Sequence, residues 1–165
     1  MARSSKSSGN QQSFLLWMGA SALILILDQL TKVIAKTNLI EGISQPVTSF
    51  LNWTLVYNPG AAFSFLAQAG GWQRWFFTGI GLIAAAVMIW LIRKNTSQTL
   101  FCLAMSLVLS GAIGNVIDRI LYGAVVDFVD LHYAGWHWPA FNIADSAITM
   151  GVILLILDEI KRVNK

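Results

Sequence analysis

Four apolar stretches dominate the chain, and each is long enough to cross a bilayer: Phe14–Ala35, Trp72–Ile92, Thr99–Leu121 and Phe141–Ile160. A spanning helix needs about 20 such residues. Several of these stretches also carry acids. Asp28 lies near the end of the first, Asp118 near the end of the third, and Asp145 in the opening turn of the fourth. A carboxylate facing lipid costs roughly 2.5–3.5 kcal/mol on insertion scales. The acids must therefore face protein, and explaining them constrains the fold.

Composition agrees with a membrane protein. Of the 165 residues 56% are hydrophobic and 12% are charged, against about 25% charged in ordinary soluble domains. The net charge of +3, with no basic run, gives no reason to expect a nucleic-acid partner. A single cysteine, Cys102, excludes an intramolecular disulfide framework. Arg3 and Lys6 precede the first apolar stretch as in a signal peptide, but Asp28-Gln-Leu-Thr-Lys32 follows it instead of a small-residue cleavage site, which predicts an uncleaved first helix. Met1–Ser13, rich in Ser, Gln and Asn, is expected to be a disordered tail. Residues 14–160 are expected to form one four-helix membrane domain, and 161–165 a short C-terminal tail.

Four spans put both termini on one side. Arg3, Lys6, Arg93, Lys94, Lys161, Arg162 and Lys165 share that side, which makes it cytoplasmic by the positive-inside rule. Lys32, Lys36, Arg74 and Arg119 then lie toward the outer face, together with Asp28, Asp118, Asp127, Asp130 and Asp145. Within the helices the polar residues recur at helical spacing. Asn142, Asp145, Ser146 and Thr149 share a face, as do Gly111, Asn115, Asp118 and Arg119, and Asp28, Thr31 and Lys32. Three polar faces at one depth should turn toward each other. The ordinary structural explanation pairs Asp28 with Lys32 and Asp118 with Arg119, and makes Asn142 a helix cap. It leaves Asp127 and Asp145 with no base within a helical turn.

The connections carry further signals. Asn52–Tyr57 alternates and is rich in β-formers, which predicts a strand, and Asn58-Pro59-Gly60 predicts a turn. Ala61–Ala69 is expected to be a short interfacial helix anchored by Phe63, Phe65 and Leu66. Ala124–Leu131 is expected to add strand, and Trp136 and Trp138 to sit at headgroup level. The fold class is thus mainly α, with four transmembrane helices, a small β-containing region outside the membrane and an interfacial helix.

Two neighbouring carboxylates can share one proton, the ionised one activating water and the protonated one polarising a carbonyl. Asp127 and Asp145 are the best pair for this. Asp127 sits on a segment able to fold over the bundle mouth, and Asp145 lies at a helix N-terminus whose dipole favours an anion. Alternatives are weaker. No span contains a histidine to serve as base for a serine nucleophile, and Ser21 and Cys102 lie at the other ends of their helices. His132, His137 and Asp130 lack the spacing of a known metal motif. A small ion- or proton-coupled transporter is the main alternative, since buried Asp and Arg are expected there too.

Five short motifs occur in order: Asp28-Gln-Leu-Thr-Lys32, Asn58-Pro-Gly-Ala-Ala-Phe-Ser64, Gly114-Asn-Val-Ile-Asp-Arg119, Val125-Val-Asp-Phe128 and Phe141-Asn-Ile-Ala-Asp-Ser146. Together they closely resemble the lipoprotein signal peptidase family, also called signal peptidase II. The resemblance covers about Phe14 to Ile160 and departs at no motif position. It implies a multi-pass aspartic endopeptidase of the bacterial cytoplasmic membrane, working near the outer face. Its substrates would be diacylglyceryl-modified prolipoproteins, cut before the lipidated cysteine. Membrane lipids would surround it, no metal or other cofactor would be needed, and a monomer is expected. The resemblance places the catalytic dyad at Asp127 and Asp145. Its other motif positions fall on Asp28, Lys32, Asn58, Gly111, Asn115, Asp118, Arg119, Asn142 and Ala144. Of these, Asn58, Asn115, Arg119 and Asn142 are read as groups that bind substrate or orient the dyad. Asp28 with Lys32, and Asp118, are read as holding the bundle together.

Overall fold

The computed structural model describes residues 2–60, 66 and 69–164. The order of elements is α1 (Ala2–Asn38), β1 (Gln45–Pro46), β2 (Leu51–Asn58), α2 (Trp72–Lys94), α3 (Thr99–Tyr122), β3 (Val125–Tyr133), β4 (Trp136–His137) and α4 (Ile143–Val163). Among the described residues, three helices are both long and apolar enough to cross a membrane: Asn10–Asn38 within α1, then α2 and α3. The fourth expected span is present as α4, whose 21 residues reach about 31 Å at 1.5 Å per residue. It differs from the others in composition, because Asp145 opens it and Asp158, Glu159, Lys161 and Arg162 close it. Val152, Ile153, Ile156, Leu157 and Ile160 of α4 are exposed, as are Leu23, Ile26, Leu30 and Ile34 of α1. Such apolar faces are suited to lipid contact.

Helix α1 begins at Ala2, within the segment expected to be a tail. A helix already nucleated by a long apolar span gains one hydrogen bond per added residue without a new nucleation cost. The expected interfacial helix and its Phe63 and Phe65 anchors fall largely on residues 61–65, 67 and 68, outside the described residues.

Helix α3 is the hub. Half of its apolar window is buried, a larger share than in α1 or α2, and it packs against all three other helices. Small residues allow the close approach, as is usual where lipid gives no hydrophobic driving force. A Cβ on Gly111 would collide with the Ala144 carbonyl of α4, and one on Gly151 would lie 2.8 Å from the Ala104 carbonyl of α3. At the end away from the acids, Trp17, Ala85, Met88, Ile92, Cys102 and Leu109 form an apolar core. Cys102 is fully buried there.

The strands form one antiparallel sheet in the order β1-β2-β3-β4. Both expected strands are present, and β2 pairs with β3 so that Val56 faces Asp127 and Asn52 faces Asp130. The chain leading into α4 is tied to the same sheet. Phe141 N donates to Val129 O at 3.1 Å, and Val129 N donates back to Phe141 O at 2.9 Å. This bridge fixes where α4 starts relative to β3.

Replacing Gly111 by Val should therefore separate α3 from α4, costing about 1–3 kcal/mol or more. Thermal unfolding in detergent should show a clear fall in midpoint. Gly79→Ala, at a helical position where a Cβ meets nothing within 4 Å, should show none.

Candidate active site

The site is built around a buried ionic cluster. Asp28 and Lys32 are one turn apart on α1, and their side chains meet at 2.9 Å. The same Lys32 ammonium reaches Asp118 of α3 at 2.7 Å. All three are almost wholly buried, at 1%, 2% and 0% exposure, where an unpaired charge would be very costly. The pairing of Asp28 with Lys32 is the one the sequence suggests. The suggested pairing of Asp118 with Arg119 is not formed, because adjacent residues on a helix point about 100° apart. Asp118 instead faces α1, while Arg119 donates to Gly60 O at 2.9 Å and Asn115 O at 3.4 Å.

The two acids also hold the polypeptide on either side of the site. Asp28 Oδ1 accepts from Ala144 N in the first turn of α4, at 2.8 Å. Asp118 Oδ2 accepts from Val126 N, next to Asp127, at 3.1 Å. Gln29 Nε2 bridges the acids, 3.1 Å from Asp28 and 3.2 Å from Asp118. Sequence reasoning passed over Gln29, although it lies inside the first motif. It also passed over Gly114, where a Cβ would lie 2.5 Å from Asp28 Oδ2.

Asp127 and Asp145 are brought together by Asn142, which caps α4 in a capping box. Asp145 N donates to Asn142 Oδ1 at 2.9 Å, and Asn142 N donates to Asp145 Oδ2 at 3.3 Å. The Asn142 amide then donates to Asp127 Oδ1 at 2.7 Å. Asn142 thus reaches both carboxyls, its side-chain amide donating to Asp127 and its backbone N–H to Asp145, while its side-chain oxygen caps the Asp145 backbone N–H. Asn115 Nδ2 donates to the second oxygen of Asp145 at 2.8 Å, and Asn58 Nδ2 approaches Asp127 Oδ2 at 3.3 Å. Asn58 also accepts from Gly60 N at 3.0 Å, forming the turn after β2.

Burial pushes the Asp127 carboxyl up to about 7, and the charge of Asp145 adds to this; the amides of Asn58 and Asn142 and the charge of Lys32 pull the other way. Asp130, on the same strand, belongs to a separate cluster. Burial raises it, but the Asn52 amide at 2.8 Å and His137 at 2.8 Å outweigh burial and hold it below its usual range. His132 stacks on His137 with ring centres 5.2 Å apart. Among the described residues no three His, Cys, Asp or Glu side chains are grouped to hold a metal. Ser21 donates to the backbone carbonyls of Trp17 and Ser106.

Asp127 and Asp145 line a groove of about 1030 Å³, together with Asn58, Asn115, Arg119 and Ser146. Its other walls are apolar, including Phe77, Ile80, Ala84, Ile148, Met150 and Ile153 from α2 and α4. The groove therefore joins one polar end to a long greasy flank. Of the residues singled out from the sequence, Gly111 and Ala144 lie in the α3–α4 contact behind it.

This fold is that of a membrane enzyme. Two solved structures of bacterial membrane enzymes match with TM-scores of 0.79 and 0.77, each at 38% identity over 88% of this chain and over 88% and 93% of theirs. The family model for signal peptidase (SPase) II matches residues 20–161. Lipoprotein signal peptidases of Cupriavidus pinatubonensis and Janthinobacterium sp. (strain Marseille) are 56% and 54% identical, covering 99% and 100% of this chain and 92% and 100% of those proteins. The chain belongs to the signal peptidase II family and is a membrane-embedded peptidase.

Two outcomes follow from this geometry. Lys32→Met would leave two buried carboxylates without their cation and should cost about 3–5 kcal/mol, read as loss of folded protein or a large fall in melting temperature. Asp127 holds its proton to about pH 7 when folded, against 3.8 ordinarily. Its contribution to stability is therefore full in acid, shrinks as pH rises from about 4 to 7, and is flat above. Asp127→Asn should remove that slope, so the variant's melting temperature should gain on the parent's across this window.

Proposed function

We propose that the chain is an aspartic endopeptidase that removes the signal peptide from diacylglyceryl-modified prolipoproteins, with Asp127 and Asp145 as its catalytic dyad. The observation that carries this is the Asn142 bridge. It holds two carboxyls from different elements at the polar end of an otherwise apolar groove. Membership of the signal peptidase II family supports the reaction and the substrate class.

The chemistry needs one carboxyl ionised and one protonated. The carboxylate takes a proton from water as the water oxygen attacks the scissile carbonyl, and the acid gives its proton to the carbonyl oxygen. The resulting tetrahedral diol collapses when the proton gained from water passes to the leaving amine. A hydroxyl proton returns to the first donor, and the dyad is restored. Asn58, Asn115 and Asn142 orient the carboxyls. Arg119, held by Gly60 O and beside the groove, is suited to a backbone carbonyl of an extended substrate. The apolar flank suits a signal helix and acyl chains that stay in the bilayer while the scissile bond meets the dyad.

The orientation that follows from the charges puts both termini in the cytoplasm and the dyad near the outer face of the bacterial inner membrane. We infer that the enzyme acts as a monomer without metal or other cofactor. The transporter reading is disfavoured by the distribution of polarity. Asp28, Asp118 and Asp145 gather toward the groove end, while the other half packs around Trp17, Met88, Ile92 and Leu109, with Asp158 and Glu159 paired to Arg162 at the far end of α4.

Asp127→Asn and Asp145→Asn, purified in detergent and given a synthetic lipidated prolipopeptide, should each lose at least about 10²–10⁴-fold in turnover while keeping the parental melting profile or better. Near-normal turnover by either variant would rule out the dyad. The elevated Asp127 carboxyl also sets the alkaline limit: kcat/KM should decline as pH rises above about 7, and again in acid once both carboxyls are protonated. A rate independent of pH from acid to alkali would contradict the shared proton.

A further inference from the structure

We propose that Lys32, acting through the Asn115 side chain, decides which member of the dyad is ionised: it makes Asp145 the carboxylate that activates water and leaves Asp127 as the acid that carries the shared proton. The inference rests on the dyad reading above and adds a microscopic assignment to it.

It begins with donor counting. An ammonium has three N–H donors and accepts nothing. Lys32 Nζ lies 2.9 Å from Asp28 Oδ2, 2.7 Å from Asp118 Oδ2 and 3.2 Å from Asn115 Oδ1. Its three donors therefore have three acceptors. The atom of Asn115 that meets Lys32 must be its oxygen, since an NH₂ group there would set donor against donor. The Asn115 amide is thereby fixed with its nitrogen toward Asp145, 2.8 Å from Oδ1. A cation polarises this amide from behind, which strengthens its N–H as a donor.

The second oxygen of Asp145 is also met by a donor, the backbone N of Asn142 at 3.3 Å. Asp145 lies in the first turn of α4, where the helix dipole favours an anion. Both its oxygens thus accept N–H groups, one of them linked to a buried cation. Asp127 also has a donor on each oxygen, but it lies on a strand rather than at a helix N-terminus, and neither donor is in direct contact with a cation. Its donors are the neutral amides of Asn142 and Asn58, at 2.7 and 3.3 Å, and the Asn142 nitrogen also reaches Val126 O at 3.2 Å. Asp127 is only 2% exposed, and its carboxyl is already raised toward neutrality by burial.

The other charged groups facing the pair are Asp28 from α1 and Asp118 and Arg119 from α3. From β2, Tyr57 lines the groove, and α2 contributes only Phe77, Ile80, Gly81 and Ala84. Asp28 opposes ionisation of Asp145, but its charge and that of Asp118 are each paired with Lys32, at 2.9 and 2.7 Å. Arg119 feels both dyad members, so it does not discriminate between them. The charge of Lys32 also reaches both members, but the amide it backs donates directly to Asp145 at 2.8 Å, and meets the Asp127 side only through Asn142 Nδ2, 3.5 Å from Asn115 Oδ1. Lys32 and Asn115 are positioning residues: they set the charge of the group that meets water.

The test uses full-length protein in nanodiscs with aspartate carboxyls labelled with ¹³C, and the same lipidated prolipopeptide. In the parent near pH 6 the Asp145 carbon, assigned by its loss in Asp145→Asn, should resonate as a carboxylate and that of Asp127 as an acid. In Asn115→Ala, Lys32 keeps both carboxylate partners, and the acid limb of kcat/KM should move up by about one pH unit. At the midpoint of the parental acid limb this is a loss of about tenfold, with a smaller loss on the plateau. The double variant Lys32→Gln/Asp118→Asn keeps the cluster's net charge while removing the cation, and should shift the limb in the same direction. A uniform fall in rate with unmoved limbs would overturn the relay, as would a protonated Asp145 beside an ionised Asp127 in the parent. Retained turnover in Asp127→Asn or Asp145→Asn would instead remove the dyad itself, whatever Asn115→Ala does.

Discussion

The Asp28–Lys32–Asp118 cluster is the interaction on which the rest of the site depends. Three charges at 0–2% exposure are tolerable only when each is closely partnered, and here the partners come from two helices and the backbone beyond them. Lys32 joins α1 to α3. Asp28 reaches the first turn of α4, and Asp118 reaches β3 one residue before Asp127. An ionic knot of this kind contributes little net stability compared with apolar packing. Its value lies in geometry, because these three connections tie α1, α3, α4 and β3 to one point.

That requirement explains the small residues around it. Gly114 leaves room for Asp28, and Gly111 leaves room for the Ala144 carbonyl. Ala144 itself is fully buried. The start of α4 can therefore press directly against α3, which brings the capping box of Asn142 within reach of β3. The sheet supplies the opposing constraint through the backbone bridge between Phe141 and Val129. Asn142 sits where these two constraints meet, its backbone N–H on the Asp145 carboxyl and its side-chain amide on that of Asp127.

Much of this was legible in the sequence. The apolar lengths gave the helices, the alternation around Trp53 and Val126 gave the paired strands, and helical spacing grouped Asn142 with Asp145 and Asn115 with Asp118. Other features were not legible because they depend on which way a face turns in three dimensions. Asp118 and Arg119 are adjacent in sequence and of opposite charge, yet a 100° step sends one toward Lys32 and the other toward Gly60. Gln29 carries no charge and breaks no pattern, so nothing in the chain marks it as the bridge between two acids.

The sequence by itself determined that acids must be buried at one level of a membrane bundle, since lipid cannot accept them and few bases are available to neutralise them. It also singled out Asp127 and Asp145 as the two that ordinary pairing leaves unexplained. Only the tertiary structure decided how those two differ. Hydrogen-bond direction depends on which donor faces which acceptor across helices, and that is set by packing at ångström scale. Asp145 receives an amide backed by Lys32 and lies at a helix N-terminus, whereas Asp127 is buried against neutral amides.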